Sequence, residues 1–247
     1  MFNNSSFKTL KIASFLICII FFNSCKKEIT LTFSETAVLE ENEAFIEINI
    51  PKAEGNSETA NKINTTLNLF TCNVLNIDAS QDRKTTIDES IIAFNEAYKA
   101  FNKILLSEFP EDFPRWEALV DGEVSYQDEN IVSIAMNGVV NTGSASSNMV
   151  FKFFNFNMSG KSLETKDLIN NIEDFTDLAQ KYYAKEIMTS HKDGTVIESE
   201  NFILPETLGF NEDGVIIIYD NFEFGNFTKE VIEFTIPYEA TNQYLTF

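Results

Sequence analysis

Histidine is nearly missing from this sequence, with His191 the only one among 247 residues. No two-histidine metal site can be built from it. Its setting in SHKDG reads as an exposed turn, not a catalytic base. Cysteine is almost as scarce, at Cys18, Cys25 and Cys72. A zinc centre of the usual histidine and cysteine ligands is therefore excluded, and there is no set of paired cysteines for a disulfide framework. Basic residues number 18 against 38 acidic ones, for a formal net charge of −20. Such a field repels nucleic acid and draws cations and basic proteins. Basic stripes, glycine-rich phosphate loops and nucleotide fingerprints are absent, so no cofactor is expected. An apolar run of about 20 residues, the length of a membrane span, is also missing.

The longest apolar run is IASFLICIIFF, Ile12 to Phe22, preceded by Lys8 and Lys11 and followed by Asn23 and Ser24. This is the layout of a signal peptide over residues 1–24. A small residue directly before a cysteine, here Ser24 before Cys25, resembles the cleavage site of bacterial lipoproteins, in the looser form used by Bacteroidota. The resemblance implies a lipid attached at Cys25, and two or more acyl chains there anchor a protein stably to a membrane. Glu28 is the one acid close behind Cys25, which favours the periplasmic face of the outer membrane over the cell surface. An ordinary secreted protein with a free thiol at Cys25 is the alternative. Cys72 falls in an apolar helical pattern and is expected to be a buried small hydrophobe.

Residues 25–42 read as a tether. After it, EAFIEINI alternates with Ala44, Ile46, Ile48 and Ile50 on one face, the pattern of a strand that Pro51 and Gly55 break. Ser57 opens a helix whose stripe is Ala60, Ile63, Leu67, Phe70 and Val74. Thr86 and Glu89 form the capping box of a second helix, with stripe Ile87, Ile91, Phe94, Tyr98, Phe101 and Leu105, ended by Pro110 and Pro114. The period then changes from 3.6 to 2. Strands are expected over Trp116 to Tyr126 and Ile131 to Val140, with a turn at Asp128 and Asn130, and over NMVFKFFNFNM after the polar loop GSASSN. A helix from Asp174 to Met188 follows, then a hairpin in LGFNEDGVIIIYD whose Val215 to Tyr219 arm is apolar throughout. A last strand carries Ile232, Phe234 and Ile236, and Pro237 halts it before a short C-terminal helix. This order predicts an α+β fold, helices packed on a largely antiparallel sheet, in two closely associated subdomains at 43–159 and 160–247.

The phrases GKSLETKDLI, LGFNEDGVIIIYDNFEFG and FTIPYE resemble the domain of unknown function shared by lysozyme-sensing anti-sigma factors of the RsiV type and peptidoglycan deacetylases of the PdaC type. Residues 160–247 carry that resemblance. Residues 43–155, with Asn-Lys-Ile-Asn at 61–64, resemble its upstream companion domain. The resemblance implies a role in the cell envelope and, through the RsiV type, a lysozyme-like partner. The deacetylase module and a sigma-binding segment have no counterpart in this chain, so neither activity is carried over. The family's loop after the buried strand is shorter here and lacks its proline.

Candidate chemistry is sparse. Glu117, Asp121 and Glu123, and separately Glu212 and Asp213, supply the carboxylate pairs a glycan hydrolase needs, though 38 acids make such proximity common. Asp78, Ser80, Asp82 and Glu89 match calcium-loop spacing, but Arg83 stands where the turn needs glycine, so no metal site is assigned. Trp116, Tyr126, Tyr219 and Tyr238 are expected mostly in the core. Asp220, Asn221, Phe222, Glu223 and Phe224 form the expected partner-binding loop, because a short polar loop has little structural need for two phenylalanines. The expectation is a non-enzymatic envelope lipoprotein binding a basic protein or a peptidoglycan fragment. A glycan hydrolase and a purely structural envelope component are the alternatives.

Overall fold

The alternation in EAFIEINI seeds the main sheet. In the computed structural model, which describes residues 31–55, 57–77, 83–108, 114–144, 147–190, 202–219 and 231–247, it becomes β2 (Phe45–Glu54). Ile46, Ile48 and Ile50 are at most 1% exposed on its inner face. It is not the first strand. The expectation of a tether at 25–42 is corrected at Thr32–Glu40, which forms β1, antiparallel to β2 from Thr32 opposite Glu54 to Glu40 opposite Ile46. Alternation hides β1 because Phe33 and Val38, which pack on the core, have opposite parity. The buried set of β2 switches parity too, from Ile46, Ile48 and Ile50 to Pro51 and Ala53. Pro51 lies within β2 and does not end it. A proline is tolerated there because β3 pairs with β2 only from Phe45 to Asn49, leaving one side of the strand unladdered.

Two helices cover the inner face. The first, α1 (Ser57–Leu75), buries Ala60, Ile63, Leu67 and Phe70, the expected stripe. The second, α2 (Ile87–Glu108), starts at Thr86, whose hydroxyl accepts the Glu89 N–H at 3.3 Å and donates to the Glu89 carboxylate at 3.0 Å. Phe94 of α2 is buried against Trp116. The stripe weakens toward the end of α2, where Phe101 is 40% exposed.

The sheet continues through β3 (Glu117–Gln127), β4 (Ile131–Asn141), β5 (Asn148–Asn157) and β6 (Ser162–Leu163), in the order β1-β2-β3-β4-β5-β6. Only the β2–β3 pair is parallel, and α1 and α2 form the crossover that a parallel pair requires. In the β3–β4 turn, the Asp128 carboxylate accepts the N–H groups of Asn130 and Ile131. In the turn after β5, Gly160 takes φ +74° in close contact with Thr59 and Lys62, a left-handed conformation that suits glycine.

The remainder of the chain builds a second core from α3 (Thr165–Leu168), α4 (Ile172–Ser190), β7 (Gly209–Phe210), β8 (Gly214–Tyr219), β9 (Ile232–Pro237) and α5 (Tyr238–Thr241). Strands β7, β8 and β9 form their own antiparallel sheet. Val215, Ile216 and Ile217 are buried, as the unbroken apolar run implies. The two cores interlock. Ile131 of β4 belongs to the second core, Asn155 Nδ2 donates to the Leu208 carbonyl at 2.8 Å, and the Phe210 N–H donates to Ser133 Oγ at 3.3 Å. Gly209 rests on the Phe153 ring, where a Cβ would lie 2.2 Å from the ring. Leu31–Phe247 is one compact unit. Among the described residues, no helix is long and apolar enough to cross a membrane.

Candidate functional site

Alternation fixes what the main sheet presents on the face away from α1 and α2, which the second core covers at Ile131, Ser133, Phe153 and Asn155 and leaves open elsewhere. Ile46, Ile48, Ala118, Val120, Ile134 and Met136 point toward the helices and are fully buried, so the residues between them point the other way. Cross-strand pairing then aligns Asn49 with Asp121, Asp121 with Asn137, and Asn137 with Phe151, a row running from β2 to β5. A neighbouring row runs Glu47, Leu119, Val139 and Met149. The two rows place carboxylates and amides beside half-exposed apolar side chains.

Asp121, Gly122, Glu123, Ala135, Asn137 and Phe151 line a groove of about 200 Å³ on this face. Asn137 Oδ1 is a buried acceptor without a partner, and such a group costs free energy until a donor reaches it. Asp121 and Glu123 are exposed, and neither is a partner in the ion pairs Lys62–Glu58, Lys99–Glu43, Lys161–Asp167 and Lys166–Glu164. The Glu47 carboxylate accepts a hydrogen bond from Asn49 Nδ2 at 3.2 Å. Neither row contains a lysine or arginine.

The carboxylates expected as a possible pair thus do share a face: Glu117, Asp121 and Glu123 all project outward from β3. Glu212 and Asp213 belong to the β7–β8 turn, where Asn211 Oδ1 accepts the N–H groups of Asp213 and Gly214. Glu89 is occupied at the start of α2. Cys25, the loop Asp220 to Phe224, His191, and Asp78, Ser80 and Asp82 lie outside the described residues. Among the described residues, no group of three histidine, cysteine, aspartate or glutamate side chains is placed to hold a metal.

Several singled-out residues serve the core. Trp116 is 6% exposed and meets Phe94, Tyr98 and Phe101 with ring centroids 5.1 to 5.7 Å apart. Cys72 is buried, and burial pushes its thiol up, away from the thiolate a nucleophile needs. Tyr126 and Tyr238 pack together at 6.2 Å. The Tyr126 hydroxyl donates to Asp128 and that of Tyr238 to the Asn211 carbonyl. Burial, then the neighbouring Tyr126 phenol, raises the Tyr238 hydroxyl well above the ordinary phenol value.

The short motifs prove to be structural devices. In Asn-Lys-Ile-Asn, Ile63 is buried, and the Asn64 amide accepts the Ala53 N–H at 2.8 Å and donates to the Ala53 carbonyl at 3.0 Å. It substitutes for a strand partner where β3 no longer pairs with β2. In GKSLETKDLI, Leu168 and Ile169 are buried, the Asp167 carboxylate accepts the Glu164 N–H, and the Leu168 carbonyl accepts the Thr246 N–H. Arg115 was not anticipated. Its guanidinium donates to the carbonyls of Glu41, Glu43 and Ala44 and holds the β1–β2 connection; the signal for it is an arginine directly before a core tryptophan.

The family model described as Deacetylase PdaC matches residues 38–149. A solved DUF3298-family protein from Bacteroides fragilis superposes with a TM-score of 0.67 at 15% identity, over 90% of this chain and 96% of its own. One from Pseudomonas aeruginosa does so at 0.57 and 15% identity, over 88% and 94%. No curated protein matches the sequence. The resemblance read from the sequence is therefore met: a PdaC-type family model matches residues 38–149, and the chain shares the fold of DUF3298-family proteins across most of its length.

Proposed function

We propose that this protein is a non-enzymatic lipoprotein of the cell envelope, anchored through Cys25 on the periplasmic side of the outer membrane, that captures a basic, lysozyme-like protein. The observation that carries the reading is the part of the sheet face away from the helices that the second core leaves open. Its two cross-strand rows hold acidic and amide groups and no basic residue, beside Leu119, Val139, Met149 and Phe151. Acid speeds encounter with a cationic partner, and the apolar side chains supply contact area once water is excluded. The net charge of −20 adds long-range attraction. The match to the PdaC-type model supports an envelope role, and the loop Asp220, Asn221, Phe222, Glu223 and Phe224 is assigned as a second source of aromatic contacts.

Calorimetric titration with lysozyme at roughly 0.15 M salt, where long-range attraction is screened, tests the reading. An equally basic, unrelated protein serves as control. One-to-one binding to lysozyme alone, weakened by roughly tenfold in Asp121→Asn/Glu123→Gln, is expected. Phe222→Ala with Phe224→Ala is expected to weaken it further without lowering the melting temperature. Equal weak binding to both proteins defeats the reading.

A peptidoglycan fragment is the second reading, favoured by the row Asn49, Asp121, Asn137 and Phe151. Amides and carboxylates there suit sugar hydroxyls, and the unpartnered Asn137 Oδ1 needs a donor. Saturable binding of a soluble muropeptide that Asn137→Ala abolishes would select it over the first.

A further inference from the structure

The two edges of the main sheet are built differently, and the difference points to a second copy of this chain. β6 pairs with β5 only at Asn155 and Phe156, so among the described residues the outer edge of β5 from Asn148 to Phe154 has no strand paired to it. Natural sheets protect such edges with charge, proline or a bulge. This edge has neither proline nor glycine, and its register with β4 runs without a break from Ile131 opposite Asn157 to Val140 opposite Asn148. Lys152 is its one charge, and its ammonium lies 5.5 Å from the Phe154 ring. Met149 is 50% exposed and Val150 43%. By contrast β1, at the opposite edge, carries Glu35 and Glu40.

Charge selects the occupant. The chain has 38 acidic residues, yet none falls between Asn130 and Leu163, the whole of β4, β5 and β6. Two copies that each carry −20 repel on most approaches. The β5 edge is where that repulsion is weakest and apolar contact is available.

We propose that β5 is a dimerisation edge: two copies pair their β5 strands antiparallel about Phe151, joining their main sheets across a two-fold axis. In this register Phe151 faces its own counterpart, Phe153 faces Met149, and Lys152 faces Val150 of the partner subunit. No like charges oppose one another directly; Phe151 and Phe153 meet an aromatic and an apolar side chain, the pairs that stabilise antiparallel strands, while Phe154 faces Asn148. The contact is self-complementary, as a two-fold interface requires. Beside the strand, Phe151, Lys152, Phe153, Pro205, Glu206, Thr207 and Ile218 surround about 110 Å³ of open space that a partner's side chains can enter.

The test is sedimentation equilibrium of residues 26–247, which retain the compact unit, at roughly 1 to 100 µM, a range that brackets ordinary reversible dimers. A monomer–dimer equilibrium is expected. Val150→Lys and Met149→Lys, both at exposed positions, are each expected to weaken the dimer roughly tenfold or more. Leu39→Lys at the β1 edge is expected to leave it unchanged. Amide exchange at residues 149–153 should slow as concentration rises. A monomer at every concentration, or a dimer equally strong in both β5 variants, overturns the proposal.

Discussion

The two faces of the main sheet come from the same strands and the same alternation, yet they do opposite work. On the helix-covered face, Ile46, Ile48, Ile50, Ala118, Val120, Ile134 and Met136 are buried to within 1%. On the opposite face, which the second core covers only in part, the residues between them are Glu47, Asn49, Leu119, Asp121, Ala135 and Asn137. One residue of displacement separates packing from recognition, because successive side chains leave a strand in opposite directions. The helix-covered face therefore sets stability, while the part of the opposite face that the second core leaves open carries the proposed partner contacts.

The sharpest contrast comes from truncating the covered face. Ile48→Ala removes a fully buried side chain and is expected to cost about 2–5 kcal/mol, read by chemical denaturation. Next is the polar support of that face. Asn64→Ala leaves the Ala53 N–H and carbonyl without partners, with an expected loss of roughly 1–3 kcal/mol. A normal denaturation midpoint would show that water replaces the clamp.

A smaller effect is expected at alkaline pH, in the second core. Burial and Tyr126 raise the Tyr238 phenol in the folded chain, so the unfolded chain ionises first. Stability should hold below about pH 10, the ordinary phenol value, and fall above it. Tyr238→Phe is expected to flatten that fall, and an unchanged alkaline profile would sink the assignment. The smallest stability change belongs to the open part of the opposite face. Asp121→Asn/Glu123→Gln should alter stability by no more than about 0.5 kcal/mol while weakening capture of the basic partner. A large stability loss instead would make these carboxylates structural and erase the contrast between the faces.

Most of the fold is legible wherever one face of an element is buried along its whole length. The α1 stripe, the Thr86 cap, the β3–β4 turn at Asp128 and the apolar run of β8 are of this kind. β1 is not, because its core contacts Phe33 and Val38 lie on alternate parities and the strand has only one neighbour. Pro51 misleads for a related reason: proline ends a strand only where both sides need a ladder. The candidate site is legible in part. The outward set Glu117, Asp121 and Glu123 follows from alternation in β3, but Asn49, Asn137 and Phe151 belong to three other strands, and only register brings them into one row.

By itself, then, the sequence determined the composition of the faces, the class of fold and the exclusion of histidine-based chemistry. These depend on residue type and on spacings of a few residues, which local sterics and the hydrophobic effect translate directly. Tertiary structure alone decided that β2 and β3 run parallel, that Asn64 completes a strand 11 positions away, and that β5 stands at an open edge while β1 is flanked by acid. Those outcomes depend on which distant segments meet. Pairing between strands is set by the packing of the whole chain, and no single stretch of residues encodes it.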